Sequence, residues 1–126
     1  IMLLADVVKN LKHSNNMKVV WTVITQSKLK DIGATENDID GITEYIRSIK
    51  DVEISFMILE LSSGAFRINF RSSGNFSVND IAEKFNGGGH KFAAGARLDE
   101  NYNITDIESS IIDKINIKIP GEINVN

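Results

Sequence analysis

Apolar residues recur at helical spacing in four segments of the chain. Three of these segments begin with a Ser/Thr-x-x-Asp/Glu sequence, an arrangement that caps the first turn of a helix. The three pairs are Thr35 with Asp38, Ser77 with Asp80, and Thr105 with Glu108. The fourth segment opens the chain, with an apolar stripe formed by Leu4, Val7, Val8 and Leu11. The pattern therefore predicts four helices. No polar residues precede the first helix, as expected if the chain is a fragment of a longer protein.

Between the helices, the composition predicts strands. Residues 18–25 are rich in β-branched side chains, and residues 52–61 are apolar on both faces, as in a central strand covered on both sides. A short last strand is expected at residues 94–98. The clearest alternation, in residues 66–71, separates Phe66, Ile68 and Phe70 from Arg67, Asn69 and Arg71. Together these elements predict a single α/β domain, a mixed β-sheet flanked by about four helices.

Length, charge and composition narrow the class of protein. A chain of 126 residues is long enough for a single core, and its net charge of −3 argues against a broad surface that coats nucleic acid. A local basic pocket is compatible with that charge. The chain contains no cysteine, which excludes disulfides and thiolate metal sites and fits a cytoplasmic location. No apolar stretch is long enough to cross a bilayer, so no membrane partner is expected.

The run Gly87-Gly88-Gly89-His90 carries the strongest chemical signal. Three consecutive glycines cost conformational entropy, and they suit a backbone that approaches another group closely or presents its N–H groups to an anion. His90 can donate a hydrogen bond to a phosphate and changes its charge near neutral pH. The run matches neither a P-loop nor a dinucleotide-binding fingerprint, and a helix cap followed by a turn would have the same glycines. We interpret it as a candidate phosphate-binding loop.

A second cluster of polar residues lies at the end of the alternating strand, and one predicted helix separates it from the glycine run. The guanidinium of Arg71 could hold a phosphate in bidentate fashion, with the hydroxyls of Ser72 and Ser73 alongside. A solvent-exposed arginine on an amphipathic strand is the simpler interpretation of the same residue. Arg67 points to the same side and would extend a basic surface, although solubility alone explains it. The short connection predicts that Arg71 and His90 reach one pocket.

These residues resemble the core of the DHHA1 domain, the C-terminal substrate-binding domain of the DHH phosphoesterase superfamily. The resemblance rests on FRSS at 70–73, VNDIAEKF at 78–85 and GGGHKFAAG at 87–95, and it extends over roughly residues 17–116. The subgroup most resembled degrades short RNA and hydrolyses 3′-phosphoadenosine-5′-phosphate, and its members are often labelled exopolyphosphatase-related or RecJ-like. Asn86 stands where many relatives have a fourth glycine, and asparagine tolerates the left-handed backbone expected there.

The resemblance implies that catalysis belongs to another domain. In the family, an N-terminal DHH domain binds two divalent metals, usually manganese, which activate water for phosphoester hydrolysis. This chain has no Asp-His-His sequence and only two histidines. We therefore expect this chain to bind no metal or cofactor and to be inactive alone, and we expect the full-length protein to be an enzyme. Residues 1–16 would be the end of an interdomain helix and linker, 17–119 the DHHA1-like domain, and 120–126 a C-terminal tail.

The same resemblance implies how substrate is held. The glycines would bring backbone close to the terminal nucleotide, His90 would contact a phosphate near the metals, and Arg71 with Ser72 would hold another part of the phosphodiester chain. The implied substrate-binding residues are Arg71, Ser72, Gly87, Gly88, Gly89 and His90.

The expected ligands are short single-stranded oligoribonucleotides or nucleoside 3′,5′-bisphosphates. The alternatives are a non-catalytic nucleic-acid-binding module, part of an exopolyphosphatase, or part of a cyclic-dinucleotide phosphodiesterase. The expected partner is the N-terminal DHH domain of the same protein. A homodimer formed through the apolar first helix is a further hypothesis.

Overall fold

The computed structural model describes residues 2–14 and 16–119, and a six-stranded sheet lies at its centre. The strands are β1 (Lys12–Ser14), β2 (Val19–Ile24), β3 (Ile54–Glu60), β4 (Phe66–Ser72), β5 (Gly88–His90) and β6 (Ala93–Leu98). Their order across the sheet is β1-β2-β3-β4-β6-β5. The β2–β3 pair is parallel and the other four pairs are antiparallel, so the predicted mixed sheet is confirmed.

Five α-helices and one 3-10 turn connect the strands within the described residues. They are α1 (Met2–Lys9), α2 (Gln26–Ile32), the 3-10 turn Glu36–Ile39, α3 (Ile42–Arg47), α4 (Asn79–Glu83) and α5 (Ile104–Lys118). The prediction of about four helices missed α2. Thr25 caps this helix by accepting a hydrogen bond from the Lys28 N–H. Because Lys28 occupies the position of the acidic residue in a capping box, the sequence pattern does not reveal the cap.

The helix predicted after Thr35 is interrupted at Gly41. The capping box itself is confirmed, because the Thr35 hydroxyl accepts from the Asn37 N–H and the Asp38 carboxylate accepts from the Thr35 N–H. The 3-10 turn then ends, and Gly41 adopts a left-handed conformation with φ 84°. Glycine enters this region without steric cost, so the chain can turn before α3 begins.

The other two predicted capping boxes are wrong, because their side chains have other partners. The Ser77 hydroxyl donates to the Asp80 carboxylate, and no side chain caps α4. Helix α5 is capped by Asn103, whose side chain accepts from two backbone N–H groups. Glu108 instead accepts hydrogen bonds from Trp21 Nε1 at 2.6 Å and from Lys12 Nζ at 2.8 Å. This carboxylate therefore ties α5 to the sheet.

The two faces of the sheet bury two separate cores. The first face packs against α4 and α5, and its largest side chains are Trp21, Phe56, Phe66 and Phe70. The second face packs against α1, α2 and α3 through Val20, Ile24, Met57 and Leu59. Strand β3 contributes to both cores, which confirms its predicted burial on both faces. The predicted alternation of β4 is also confirmed, since Phe66, Ile68 and Phe70 all lie in the first core.

The second core lies over one half of the sheet only. Its strand residues belong to β2 and β3, and its cluster contains no residue of β5 or β6. On β4, the side chains of this face are Arg67, Asn69 and Arg71, which are half-buried or exposed. The helices therefore leave a polar, open region over β4, β6 and β5, bordered by the start of α3.

Residues 2–14 form the helix α1 and the strand β1. Leu3 and Val7 of α1 are buried in the second core, whereas Val8, predicted to share the apolar stripe, is 47% exposed. Strand β1, which the sequence pattern did not indicate, pairs with β2 at one edge of the sheet. The predicted tail at residues 120–126 lies outside the described residues. No helix in the described part of the chain is long and apolar enough to span a bilayer.

Asp80 and Lys118 join α4 to the end of α5 through an ion pair of 2.6 Å. Burial acts to raise the pKa of Asp80, but hydrogen bonds from Lys118 and Ser77 and the charge of Lys118 outweigh it, so the pKa lies below its ordinary value. A carboxylate with a lowered folded-state pKa stabilises the fold at neutral pH, and this contribution disappears as pH falls through that pKa.

We therefore expect Asp80→Asn to lower the free energy of unfolding at neutral pH by about 0.2–1 kcal/mol, the range of exposed ion pairs. The difference from the wild type should shrink as the pH falls from about 5 to about 2. Urea unfolding across that pH range measures it. Asp113→Asn is the matched control, because this exposed carboxylate on α5 has no ion pair among the described residues. A difference for Asp80→Asn that stays constant with pH would contradict the prediction.

Candidate functional site

A groove of about 360 Å³ occupies the open half of the second sheet face. Its floor is formed by Arg67, Asn69 and Arg71 of β4, together with backbone and small side chains of β5 and β6. Its wall is the segment from Ile39 to Glu44, which contains the turn at Gly41 and the start of α3. The groove is therefore a polar cleft between the sheet and the first turn of a helix.

The strand register places Arg71 and His90 on the same face of the sheet. Arg71 of β4 is paired with Ala93 of β6, and Ala93 is paired with His90 of β5. Directly paired residues point to the same side, and neighbouring strands lie about 4.8 Å apart, so the two Cα atoms are separated by roughly 10 Å. His90 is exposed on this face but does not line the groove itself. Small Ala93 between them leaves the space over β6 open.

The guanidinium of Arg71 pairs with Glu44 across the groove, with Arg71 Nη1 3.2 Å from Glu44 Oε2. Glu44 also pairs with Arg47, one turn further along α3. The Arg71 and Glu44 side chains are 45% and 41% exposed, so their attraction is screened by water. Exposed ion pairs contribute little to stability. A phosphate that binds Arg71 therefore has a weak competitor to displace.

Ser72 does not lie beside Arg71. Strand β4 continues through Ser72, so the alternation turns this side chain to the opposite face, where it is buried. Its Oγ accepts a hydrogen bond from the Gly74 N–H at 3.1 Å. The next hydroxyl, on Ser73, donates to Glu53. The expected set of one guanidinium and two neighbouring hydroxyls is therefore not assembled in this structure.

The glycine run forms a strand rather than a loop. Gly88–His90 is the edge strand β5, and Gly87 precedes it against β6. A Cβ on Gly87 would overlap the Gly95 carbonyl oxygen and come within 2.6 Å of the Ala96 Cβ. Gly89 has φ 142°, and a Cβ there would lie 2.8 Å from the Ala93 carbonyl oxygen. Gly87 and Gly89 are therefore required by contacts within the domain.

Gly88 is the glycine of this run with free space beside it. A Cβ on Gly88 would meet no atom within 4 Å, and the residue is paired with Gly95 next to the groove. As an edge strand, β5 also leaves one row of its backbone groups without strand partners. The preceding residue, Asn86, is left-handed with φ 62°, which confirms the backbone expected there. The close contact of backbone with ligand, expected for all three glycines, is thus sterically open at Gly88.

Three charged side chains near the groove were not predicted. Asp40 and Glu44 line its wall, and Arg97 lies opposite Arg67 on the neighbouring strand. Alternation within residues 93–98 would have placed Arg97 on the polar face, but its neighbour depends on the pairing of β4 with β6. No group of three or more His, Asp or Glu residues able to hold a metal ion occurs within residues 2–14 and 16–119.

Comparison with known proteins places these residues in a family. The model of the DHHA1 domain matches residues 16–116. A bifunctional oligoribonuclease and PAP phosphatase from Mycoplasma genitalium is 31% identical over 98 residues, which cover 78% of this chain and 30% of that protein. A probable protein of the same name from Streptococcus mutans is 30% identical over 103 residues, covering 79% and 33%. The chain spans about a third of the length of these relatives.

Solved structures share the fold. An exopolyphosphatase-related protein from Bacteroides fragilis superposes with a TM-score of 0.78 and 26% identity, over 92% of this chain and 33% of that one. A pGpG-specific phosphodiesterase from Vibrio cholerae superposes with a TM-score of 0.62 and 16% identity, over 91% and 38%, a likeness of fold alone. The predicted fold class and the resemblance to the DHHA1 domain are both confirmed.

The contacts of the glycine run predict very different effects on stability for two neighbouring substitutions. Gly87→Ala forces a methyl group into β6 and should destabilise the domain by about 1–3 kcal/mol, the usual cost of overpacking. Gly88→Ala meets no atom and should change stability by less than about 0.5 kcal/mol. Urea unfolding of both variants measures the difference. Equal stabilities for the two variants would show that β5 does not pack against β6 as described.

Proposed function

The chain belongs to the DHHA1 domain family, and from that membership we propose that it is the substrate-binding domain of a DHH-family phosphoesterase. The proposed ligands are short single-stranded oligoribonucleotides or nucleoside 3′,5′-bisphosphates. The observation that carries the proposal is the row formed by Arg71, Ala93 and His90, which crosses three strands on the open face. This row presents two side chains that can donate hydrogen bonds to a phosphate, Arg71 and His90, with the small residue Ala93 between them.

Arg71 is the proposed principal phosphate contact. Its planar guanidinium can donate two parallel hydrogen bonds to phosphate oxygens, and such charge-assisted bonds are stronger than neutral ones. Binding would require the phosphate to replace Glu44, whose ion pair with Arg71 is largely hydrated. His90 would donate to the same phosphate or to the next one. Gly88 and the free backbone edge of β5 would allow the ligand to lie against the sheet.

The hydrolytic step is assigned to a DHH domain that precedes this one in the same protein. Within residues 2–14 and 16–119, no group of three or more His, Asp or Glu residues is placed to hold a metal ion. Divalent ions bound by the DHH domain, which we propose to be manganese, would supply the activated water. This chain would bind the nucleotide and orient its scissile phosphate, which is the contribution of positioning to catalysis. We propose a cytoplasmic location for the whole protein.

The test is a titration of the 126-residue chain with 3′-phosphoadenosine-5′-phosphate. Binding is measured by calorimetry and by the NMR chemical shifts of the backbone amides. We expect saturable binding with shifts at Arg71, Gly88 and His90. Arg71→Ala should weaken binding roughly tenfold or more, because it removes a charged hydrogen-bond donor. Lys84→Gln is the control for loss of positive charge, since this exposed lysine follows α4 on the other side of the sheet.

Two further variants test the same contact from opposite directions. His90→Ala should weaken binding without unfolding the domain, because the side chain is exposed. Glu44→Gln should strengthen binding, because it removes the carboxylate that competes for Arg71. Shifts confined to another face of the domain, with long RNA bound in preference to short ligands, would favour a non-catalytic RNA-binding module. Preference for polyphosphate or a cyclic dinucleotide would indicate the other two alternatives.

A further inference from the structure

Two arginines face each other at the far end of the groove. Arg67 of β4 is directly paired with Arg97 of β6, so both side chains project from the open face of the sheet. Directly opposite residues on antiparallel strands have Cβ atoms about 4.5–5.5 Å apart, and like charges in this arrangement destabilise the sheet. The cost of this pair would be offset if an anion bound between the two guanidinium groups.

No carboxylate among the described residues forms an ion pair with either of these arginines. Among the described residues, neither side chain makes an ion pair or a hydrogen bond, and Arg67 Nε is buried without a partner. Asp40 and Glu44 line the same groove, but Glu44 pairs with Arg71 and Arg47 instead. Asp99, just beyond β6, accepts from the backbone of its own turn. Arg47 Nε is the other such donor among the described residues. Buried polar groups are rarely left unpaired, so a ligand oxygen or a water is needed beside Arg67.

The geometry points to a second anion subsite, and we propose that Arg67 and Arg97 bind a further phosphate of the ligand that Arg71 holds. This inference rests on the proposed function and specifies its substrate class. Arg67 and Arg71 are four residues apart on one strand, so their Cα atoms are separated by about 13 Å. This separation gives each guanidinium room to contact a different phosphate. We therefore infer that the two positions hold two phosphates of one nucleotide chain.

The surface between Arg71 and the arginine pair can accommodate the sugar and base that link two phosphates. Asn69 lies between Arg71 and Arg67 on the same face and offers an amide to a base or a sugar. Gly95, paired with Asn69, has no side chain of its own, and the Asn69 amide lies over it, since a Cβ on Gly95 would be 3.2 Å from Asn69 Oδ1. An oligonucleotide lying along β4 would meet Arg71, then Asn69, and then the arginine pair. The groove would thereby favour oligonucleotides over mononucleotides.

The test compares three probes of increasing length: adenosine 5′-monophosphate, pApA and pApApA. Calorimetric titrations of the 126-residue chain at several salt concentrations should show affinity rising with each added phosphate. Arg67→Gln combined with Arg97→Gln should lower the affinity for pApApA roughly tenfold and leave that for adenosine 5′-monophosphate unchanged. The salt slope of log K for pApApA should fall by about 0.7 for each lost phosphate contact. Lys84→Gln should leave both quantities unchanged.

The possible outcomes separate this inference from the proposed function. If Arg71→Ala weakens all three probes while the double variant behaves as the wild type, the proposed function stands and the second subsite is overturned. The subsite is also overturned if the double variant weakens all probes equally, because both arginines would then serve the first phosphate. If the wild type binds none of the probes, both proposals fail. Circular dichroism and amide spectra of the double variant establish that it is folded.

Discussion

The uneven covering of the sheet is the constraint on which the candidate site depends. Helices α4 and α5 pack on the first face and bury β4 and β6 from that side. On the second face, α1, α2 and α3 pack over β2 and β3, and α3 extends to β4, where Glu44 pairs with Arg71. The apolar core on the first face holds β4 and β6 rigidly in place. Their second face is therefore free to carry charged residues without being needed for stability.

Electrostatics in this region differ from those of the whole chain. The net charge is −3, yet Arg67, Arg71 and Arg97 share the open half of one sheet face. Interactions between solvent-exposed charges are screened beyond about 10 Å at moderate ionic strength. The nearby arginines therefore act on a bound anion more strongly than the charged residues elsewhere on the surface. Glu44 and Asp40 partly compensate the cluster from the wall of the groove. The positive charge of this region is therefore a local property of one half of one sheet face.

The glycine run illustrates how one pattern can have two physical causes. The sequence indicated close backbone approach, and this is correct, but at Gly87 and Gly89 the approaching group is strand β6. Gly88 alone has the open space that a ligand would need. A similar lesson comes from Glu108, whose spacing predicts a helix cap but whose carboxylate binds Trp21 and Lys12. A distant partner offered a better hydrogen bond than the adjacent backbone.

Much of the fold could be predicted because it follows from local periodicity. Alternation in residues 66–71 determines which side chains of β4 share a face, since that depends only on neighbours in the chain. The double burial of β3 and the left-handed Asn86 are likewise local in origin. The resemblance in residues 70–95 was also enough to identify the domain family. By itself, the sequence determined the family, the polar face of β4 and most of the helices and strands, but not α2, β1 or β5.

Only the tertiary structure decided which polar residues meet. The pairing of β4 with β6 and of β6 with β5 brings Arg71 into one row with His90 and sets Arg67 against Arg97. Strand β4 extends one residue beyond the predicted range, so the side chain of Ser72 points to the face opposite Arg71. The turn at Gly41 brings Glu44 close to Arg71. Strand order and register are set by the packing of whole faces against helices, which involves residues far apart in the chain. Short sequence patterns cannot specify contacts of that range.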